Sequence, residues 1–184
     1  MIITSGKLKF KKIECTPNKK LRPTSSLVRQ AIFNILENRY NWSDWCSETH
    51  LLDLYSGTGI ITLEALSRNV NTATCIEEDS CIFQNLKKNF FKLDLLDKVN
   101  LINKSFFEAD LKKNIYSVVY LDPPFHHNLA NKSILYILNK KILKKNSILI
   151  SETEKNYKFD AKLLKNINLS KNYGNKDITF FLFD

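Results

Sequence analysis

Two short stretches of this sequence hold residues whose types and spacing could do chemistry. The first is Leu51-Leu52-Asp53-Leu54-Tyr55-Ser56-Gly57-Thr58-Gly59, an apolar run that ends in a carboxylate and a turn with two glycines. An amphipathic segment, Ile60 to Arg68, follows at once, as when a buried parallel strand passes through a tight loop into a helix. Such a loop bares backbone N–H groups at a helix N-terminus, where partial positive charge attracts an anion. Asp53, at the strand's end, is placed to accept hydrogen bonds from a cationic amine. Both features together suit a zwitterionic amino-acid moiety better than a pyrophosphate. Thr62 stands where the third glycine of a G-x-G-x-x-G fingerprint would fall, which argues against a nicotinamide dinucleotide.

The second stretch is Asp122-Pro123-Pro124-Phe125, directly after the apolar run Tyr116 to Leu121. Two prolines remove two backbone donors and fix φ, which stiffens the turn and directs its free carbonyls one way. A carboxylate and a carbonyl that converge on one point both accept from an exocyclic NH2 group. Phe125 can then stack on the base that carries the amine, a contact worth ~1–3 kcal/mol. Between the two stretches, Glu77 ends another strand near the ~20-residue offset at which an acid holds ribose hydroxyls. In open α/β sheets, ligands bind beyond the carboxyl ends of the strands. Asp53, Glu77, Ser105 and Asp122 all fall at or just past such ends.

The elements that must position these residues alternate in period. Strands are predicted at Leu51–Leu54, Thr72–Ile76, Val99–Asn103, Tyr116–Leu121 and Ser147–Ile150, the last leading to Glu152. Helices are predicted from Ser80 to Leu93 and from Asn128 to Leu143, with a short one over Ser105 to Asp110. An earlier helix is capped by Thr24 or Ser25 and carries an apolar stripe of Val28, Ile32, Ile35 and Leu36. Asn41 to His50 is a connection with at most a short helical turn. The tail predicts an antiparallel pair, Asn166–Ser170 and Asp177–Phe183, around Tyr173-Gly174-Asn175. This alternation predicts an α/β fold, a mostly parallel sheet with helices on both faces.

The 184 residues carry a net charge of +9. Lys7, Lys9, Lys11, Lys12, Lys19, Lys20, Arg22 and Arg29 face a single acid, Glu14, in the first thirty residues, so most of the excess sits there. A concentrated basic stretch points to nucleic acid. Its loose alternation (Ile2, Ile3, Leu8, Phe10 and Ile13 among lysines) fits a small basic hairpin, apolar on one side, with a turn at Pro17-Asn18. Cys15, Cys46, Cys75 and Cys81 lie far apart without C-x-x-C spacing, which predicts buried thiols and no zinc site. His126-His127 are expected at the mouth of the site. No apolar run is long enough for a bilayer and no signal-peptide order opens the chain, so a cytoplasmic protein is expected.

Asp-Leu-Tyr-Ser-Gly-Thr-Gly, the Glu77 strand and Asp-Pro-Pro-Phe together resemble the signature of Rossmann-like S-adenosylmethionine-dependent N-methyltransferases. Ile3-Thr4-Ser5-Gly6-Lys7-Leu8, Leu21-Arg22-Pro23-Thr24 with Val28-Arg29, and Leu63-Glu64-Ala65-Leu66-Ser67-Arg68 narrow the resemblance to the RsmD family. That family methylates N2 of one guanine in 16S ribosomal RNA. The resemblance runs from Ile2 to about Phe183. It implies a Rossmann-like sheet of about seven strands with the last antiparallel, in one methyltransferase domain over residues 1–184. Within it, residues 1–23 would form the basic hairpin extension and residues 24–184 the catalytic core.

By that resemblance, S-adenosyl-L-methionine is held by Asp53, Tyr55, Ser56, Gly57 and Gly59, with Glu77 on the ribose and Ser105 and Phe106 near the adenine. Asp122, Pro123, Pro124 and Phe125 are the catalytic turn. Lys7, Lys9, Lys11 and Lys12 would grip RNA, with Arg22, Thr24 and Arg29 bordering the site. Ribosomal RNA, in an assembled or assembling small subunit, is the implied partner of a monomeric, metal-free enzyme. The chain departs from the family at Ser26-Leu27, where Asp-Arg is frequent, at Ser105, and at Phe10, where a glycine is favoured. Adenine-N6 and protein-glutamine methyltransferases share a related turn, and a non-catalytic RNA-binding module is the reading from another class.

Overall fold

The computed structural model describes residues 1–15, 24–125 and 127–184. The predicted turn at Pro17-Asn18, Arg22 and His126 lie outside the described residues. The elements, in chain order, are α1 (Ser26–Tyr40), α2 (Trp42–Trp45), β1 (His50–Leu54), α3 (Ile60–Ser67), β2 (Thr72–Ile76) and α4 (Ser80–Lys92). Then follow β3 (Val99–Ile102), β4 (Tyr116–Leu121), α5 (Leu129–Asn139), β5 (Leu143–Glu154), α6 (Ala161–Leu164), β6 (Ile167–Tyr173) and β7 (Lys176–Phe183). Short 3-10 turns at Cys46–Glu48, Leu96–Lys98 and Phe106–Glu108 complete the connections. Among the described residues no helix is long and apolar enough to cross a membrane.

The strands form one seven-stranded sheet in the order β3-β2-β1-β4-β5-β7-β6, as the alternating periods predict. Every pairing from β3 to β5 is parallel, and β7 runs antiparallel to both its neighbours. Period-two patterning divides the core. Leu51, Val118, Ile148 and Phe180 enter one apolar cluster with α1, α3 and α4, whereas their neighbours Leu52, Val119, Leu149 and Phe181 enter another with α5. The chain moves outward from β1 to β2 and β3, then returns to place β4 on the other side of β1. That reversal opens a crevice beyond the carboxyl ends of β1 and β4, where Asp53 and Asp122 lie.

Three elements differ from the sequence reading. The expected amphipathic α3 is buried along its whole length, because α1 and the N-terminal segment cover its outer face. Gly6 makes that covering possible: at φ 80° it lies so close to α3 that an added Cβ would fall 1.9 Å from the Ser67 carbonyl oxygen. The Lys7 and Leu8 N–H groups then donate to the Ser67 carbonyl and hydroxyl at 2.8 and 2.9 Å. Among the described residues the hairpin is a chain reversal with a single bridge, Ile2 to Lys12, and its inward side is Ile3 and Ile13 in the core.

The helix predicted from Asn128 to Leu143 ends at Asn139, and Leu143 opens β5. Lys141 turns left-handed at φ 54°, its N–H donates to Leu138 and that of Ile142 to Ile137. This is a Schellman cap built without the usual glycine. Of the cysteines, Cys46 and Cys75 are buried as expected, but Cys81 is exposed in the first turn of α4 and Cys15 is half-buried.

Candidate functional site

The first turn after β1 is stitched to β2 by Ser56. Its hydroxyl donates to the Asp53 carbonyl at 2.7 Å and accepts from the Ile76 N–H at 3.0 Å. Its own N–H donates to the Ile76 carbonyl, and that of Gly59 returns to Ser56. The Gly57 N–H reaches a carboxylate oxygen of Glu77 at 3.0 Å, and the Asp79 N–H takes the other at 2.9 Å. Three of the N–H groups that the glycine turn was expected to bare are therefore satisfied within the protein. The loop is a rigid frame, and what it offers a ligand is carboxylate. Gly59, at φ 77°, serves packing: an added Cβ would meet Leu86 and Phe90 of α4 at 2.6 and 2.7 Å.

Asp53 is 1% exposed. One oxygen accepts from the Thr62 hydroxyl at 2.7 Å, while Oδ1 is buried without a hydrogen-bond partner. A lone buried acceptor costs free energy unless something is bound to it. Burial first, and the nearby Glu77 charge as a smaller cause, push its carboxyl from the ordinary 3.8 to about 7 against the counteracting Thr62 bond. Burial also raises Glu77.

A cavity of about 410 Å³ spans the carboxyl ends of β1, β2 and β4. Asp53, Gly57, Glu77 and Ile82 line one end, and Asp122 and Phe125 the other. Tyr55 and Ser56 also border it. The Tyr55 hydroxyl is tied to Ser133 of α5 at 2.8 Å. Pro123 is buried and Pro124 exposed, so the turn is anchored at one residue and presented at the next.

Beneath this turn lies a polar chain that no local signal in the sequence marked. Tyr120, on the same face of β4 as Asp122, donates to Glu152 at 2.8 Å and lies 3.4 Å from the Thr24 hydroxyl. Lys176 pairs with the other Glu152 oxygen, and its ammonium stands 5.8 Å from the Phe125 ring centroid. Burial, and then the charges of Glu152 and Asp122, push the Tyr120 phenol well up, so it stays a proton donor. Strands far apart in sequence meet here, which period and composition do not report.

Several residues fall elsewhere than expected. Arg29 is 3% exposed and inside. Its guanidinium pairs with Glu64 at 3.3 Å and donates to the Thr24 and Ile2 carbonyls, both at 2.8 Å, so none of it is offered to RNA. Thr24 does line the cavity. Phe106 packs edge-on to Tyr136 at 5.1 Å in the α5 core, and Ser105 caps the turn at Phe106–Glu108; neither lines the cavity. Ile82, on α4, lines it instead. Lys7, Lys9, Lys11 and Lys12 are exposed on the N-terminal turn, outside the cavity. Among the described residues no three His, Cys, Asp or Glu side chains gather in a metal-holding group.

A family model described as Conserved hypothetical protein 95 matches residues 1–182. Over 154 residues the chain is 32% identical to ribosomal RNA small subunit methyltransferase D of Buchnera aphidicola subsp. Acyrthosiphon pisum, covering 83% of this chain and 78% of that protein. A solved structure from Escherichia coli superposes with a TM-score of 0.82 at 26% identity, covering 100% of this chain and 98% of that one. An RNA methyltransferase from Salinibacter ruber, solved in complex with S-adenosyl-L-homocysteine, shares the fold at a TM-score of 0.67 and 20% identity, over 88% and 94% of the two chains.

Proposed function

Because this chain belongs to the family of ribosomal RNA small subunit methyltransferase D it is an rRNA methyltransferase, and we propose that it methylates the exocyclic N2 of a guanine in small-subunit rRNA with S-adenosyl-L-methionine. The observation that carries this reading is the meeting of two things in one acid-walled cavity: the unpartnered Asp53 oxygen and the Asp122-Pro123-Pro124-Phe125 turn. Asp53, Glu77, Glu78, Asp79 and Asp122 all border it, which suits a cationic ligand and disfavours a pyrophosphate.

Asp53 would hold the cofactor's ammonium, and Glu77 its ribose hydroxyls through the lone pairs left by Gly57 and Asp79. Bound there, S-adenosyl-L-methionine supplies an electrophilic methyl on a sulfonium. The protein's own work is positional. Guanine's amine lone pair is delocalised into the ring, so orientation matters more than a strong base. Asp122 and the Pro123 carbonyl accept the amine's two N–H groups and turn its lone pair outward, within ~3–3.5 Å of its target. The same oxygens stabilise the positive charge that develops on nitrogen, and Asp122 takes the proton or passes it to water. Phe125 stacks on the base, which must be unpaired or flipped out of a helix to enter. Such a substrate implies work in the cytoplasm.

Incubation with labelled cofactor and small subunits, free rRNA, DNA or protein tests the proposal. N2-methylguanosine, mapped by mass spectrometry to one rRNA position, is expected. Label on adenine or on protein glutamine alone would replace the guanine assignment.

Binding carries a pH signature. Below about pH 7 Asp53 keeps its proton and offers an ammonium no charge. Affinity for S-adenosyl-L-homocysteine is expected to fall about tenfold per pH unit below that point and to level off above it. Stability runs with the opposite sign. Between the ordinary carboxyl value of 3.8 and about 7 the folded state holds a proton that the unfolded chain has lost. Asp53 therefore costs stability as pH rises through that window, and Asp53→Asn should melt higher than wild type at about pH 8 without cofactor. Calorimetric titrations that give one affinity from about pH 5.5 to 8.5 would refute the assignment of Asp53.

A further inference from the structure

We propose that Phe10 is a stacking anchor for an unpaired RNA base, held out from the protein on the turn that also carries Lys7, Lys9, Lys11 and Lys12. The inference rests on the RNA substrate proposed above and adds a contact outside the cavity. Phe10 is 73% exposed, and its backbone is left-handed at φ 70°. Bulky side chains avoid that region. Most other left-handed residues among those described are Asn, Asp or Gly; the other rings on such a backbone are Tyr55, in the loop that borders the cavity, and His127, just after the catalytic turn. Strain of this kind persists where the surroundings over-determine it and concentrates at ligand clamps.

Those surroundings are visible. The Phe10 N–H donates to the Ile3 carbonyl at 2.9 Å, Lys9 to Gly6 at 3.1 Å and Lys11 to Leu8 at 3.0 Å. Buried Ile3 and Ile13 hold the base of the turn in the core. Phe10 is thus an apolar ring on a fixed support, unlike a side chain on a loose tail. The Lys9 ammonium lies 4.8 Å from its centroid, so cation and ring share one spot. An aromatic ring beside an ammonium, on a turn with three further exposed lysines, matches a single-stranded nucleotide, base on ring and phosphate on ammonium. Arg29 links the Ile2 carbonyl, at the root of this turn, to the Thr24 carbonyl in the cavity wall. RNA held at Phe10 is in this way registered to the catalytic turn.

Phe10→Gly tests the anchor in the full-length protein, since glycine accepts the left-handed backbone and the fold is kept. Its melting temperature should match or exceed wild type. Its affinity for a short single-stranded oligoribonucleotide should fall about tenfold, with the slope against salt unchanged because the ring carries no charge. Phe10→Trp should restore binding, and a duplex of the same sequence should bind both proteins alike. Unchanged single-strand affinity in Phe10→Gly, or an equal loss on the duplex, overturns the anchor. So does a loss seen only with assembled subunits, which would mark a protein contact. Wild type that methylates rRNA while Phe10→Gly binds normally removes the anchor alone, whereas wild type that transfers no methyl to any RNA removes the proposed function.

Discussion

Asp122→Ala is expected to bind S-adenosyl-L-homocysteine as wild type does and to transfer methyl groups about 100- to 1000-fold more slowly. The two halves of this result come from different strands. Asp53 and Glu77, at the ends of β1 and β2, keep their partners when Asp122 is shortened. Asp122 follows β4 and is half-buried, so alanine there leaves no large void in the core. What goes is one of two acceptors that fix the amine's orientation, and rate depends steeply on that orientation. Asp122→Asn should lie between, because its carbonyl still accepts one N–H while its NH2 faces the substrate's own donors. Single-turnover transfer beside a cofactor titration separates the effects. A rate for Asp122→Ala within about threefold of wild type would end the catalytic role assigned to the turn.

Glu64→Ala is expected to destabilise the protein by about 3–5 kcal/mol, the usual cost of orphaning buried charge. Glu64 is fully buried, and its carboxylate accepts from Arg29, from Arg68 and from both the N–H and the hydroxyl of Thr4. Alanine leaves two guanidinium groups facing each other without an anion, the Arg29 one only 3% exposed. It also removes the two bonds that Thr4 makes to α3 through Glu64, while Lys7 and Leu8 stay bonded to Ser67. Glu64→Gln keeps the shape but not the charge and should lose less. Urea unfolding of the three proteins measures this; a shared midpoint and slope would mean that the cluster contributes nothing.

How much of this could be read from the chain follows the range of the interactions. Every strand and the helices α1, α4 and α5 announce themselves by period, since which face a residue occupies is there a local matter. Helix ends were less legible for a specific reason. The chain has only 4 glycines, and at Lys141, which the predicted α5 overran, it makes a left-handed cap from a residue that carries no stop signal. The glycine turn, Glu77 and the Asp-Pro-Pro-Phe turn were visible because their chemistry resides in contiguous residues, and the cavity gathers them.

By itself, then, the sequence determined the alternating α/β order, the family, and the acidic and proline-bearing ends of β1, β2 and β4. The tertiary structure alone decided which charges are spent inside. Arg29, Glu64, Tyr120, Glu152 and Lys176 look like any polar residues on a helix or strand until chain segments distant in sequence bring them together. It likewise withdrew Ser105 and Phe106 from the cavity and put Ile82 there. Burial and pairing depend on what packs opposite, and no residue carries a local record of its partner across the sheet.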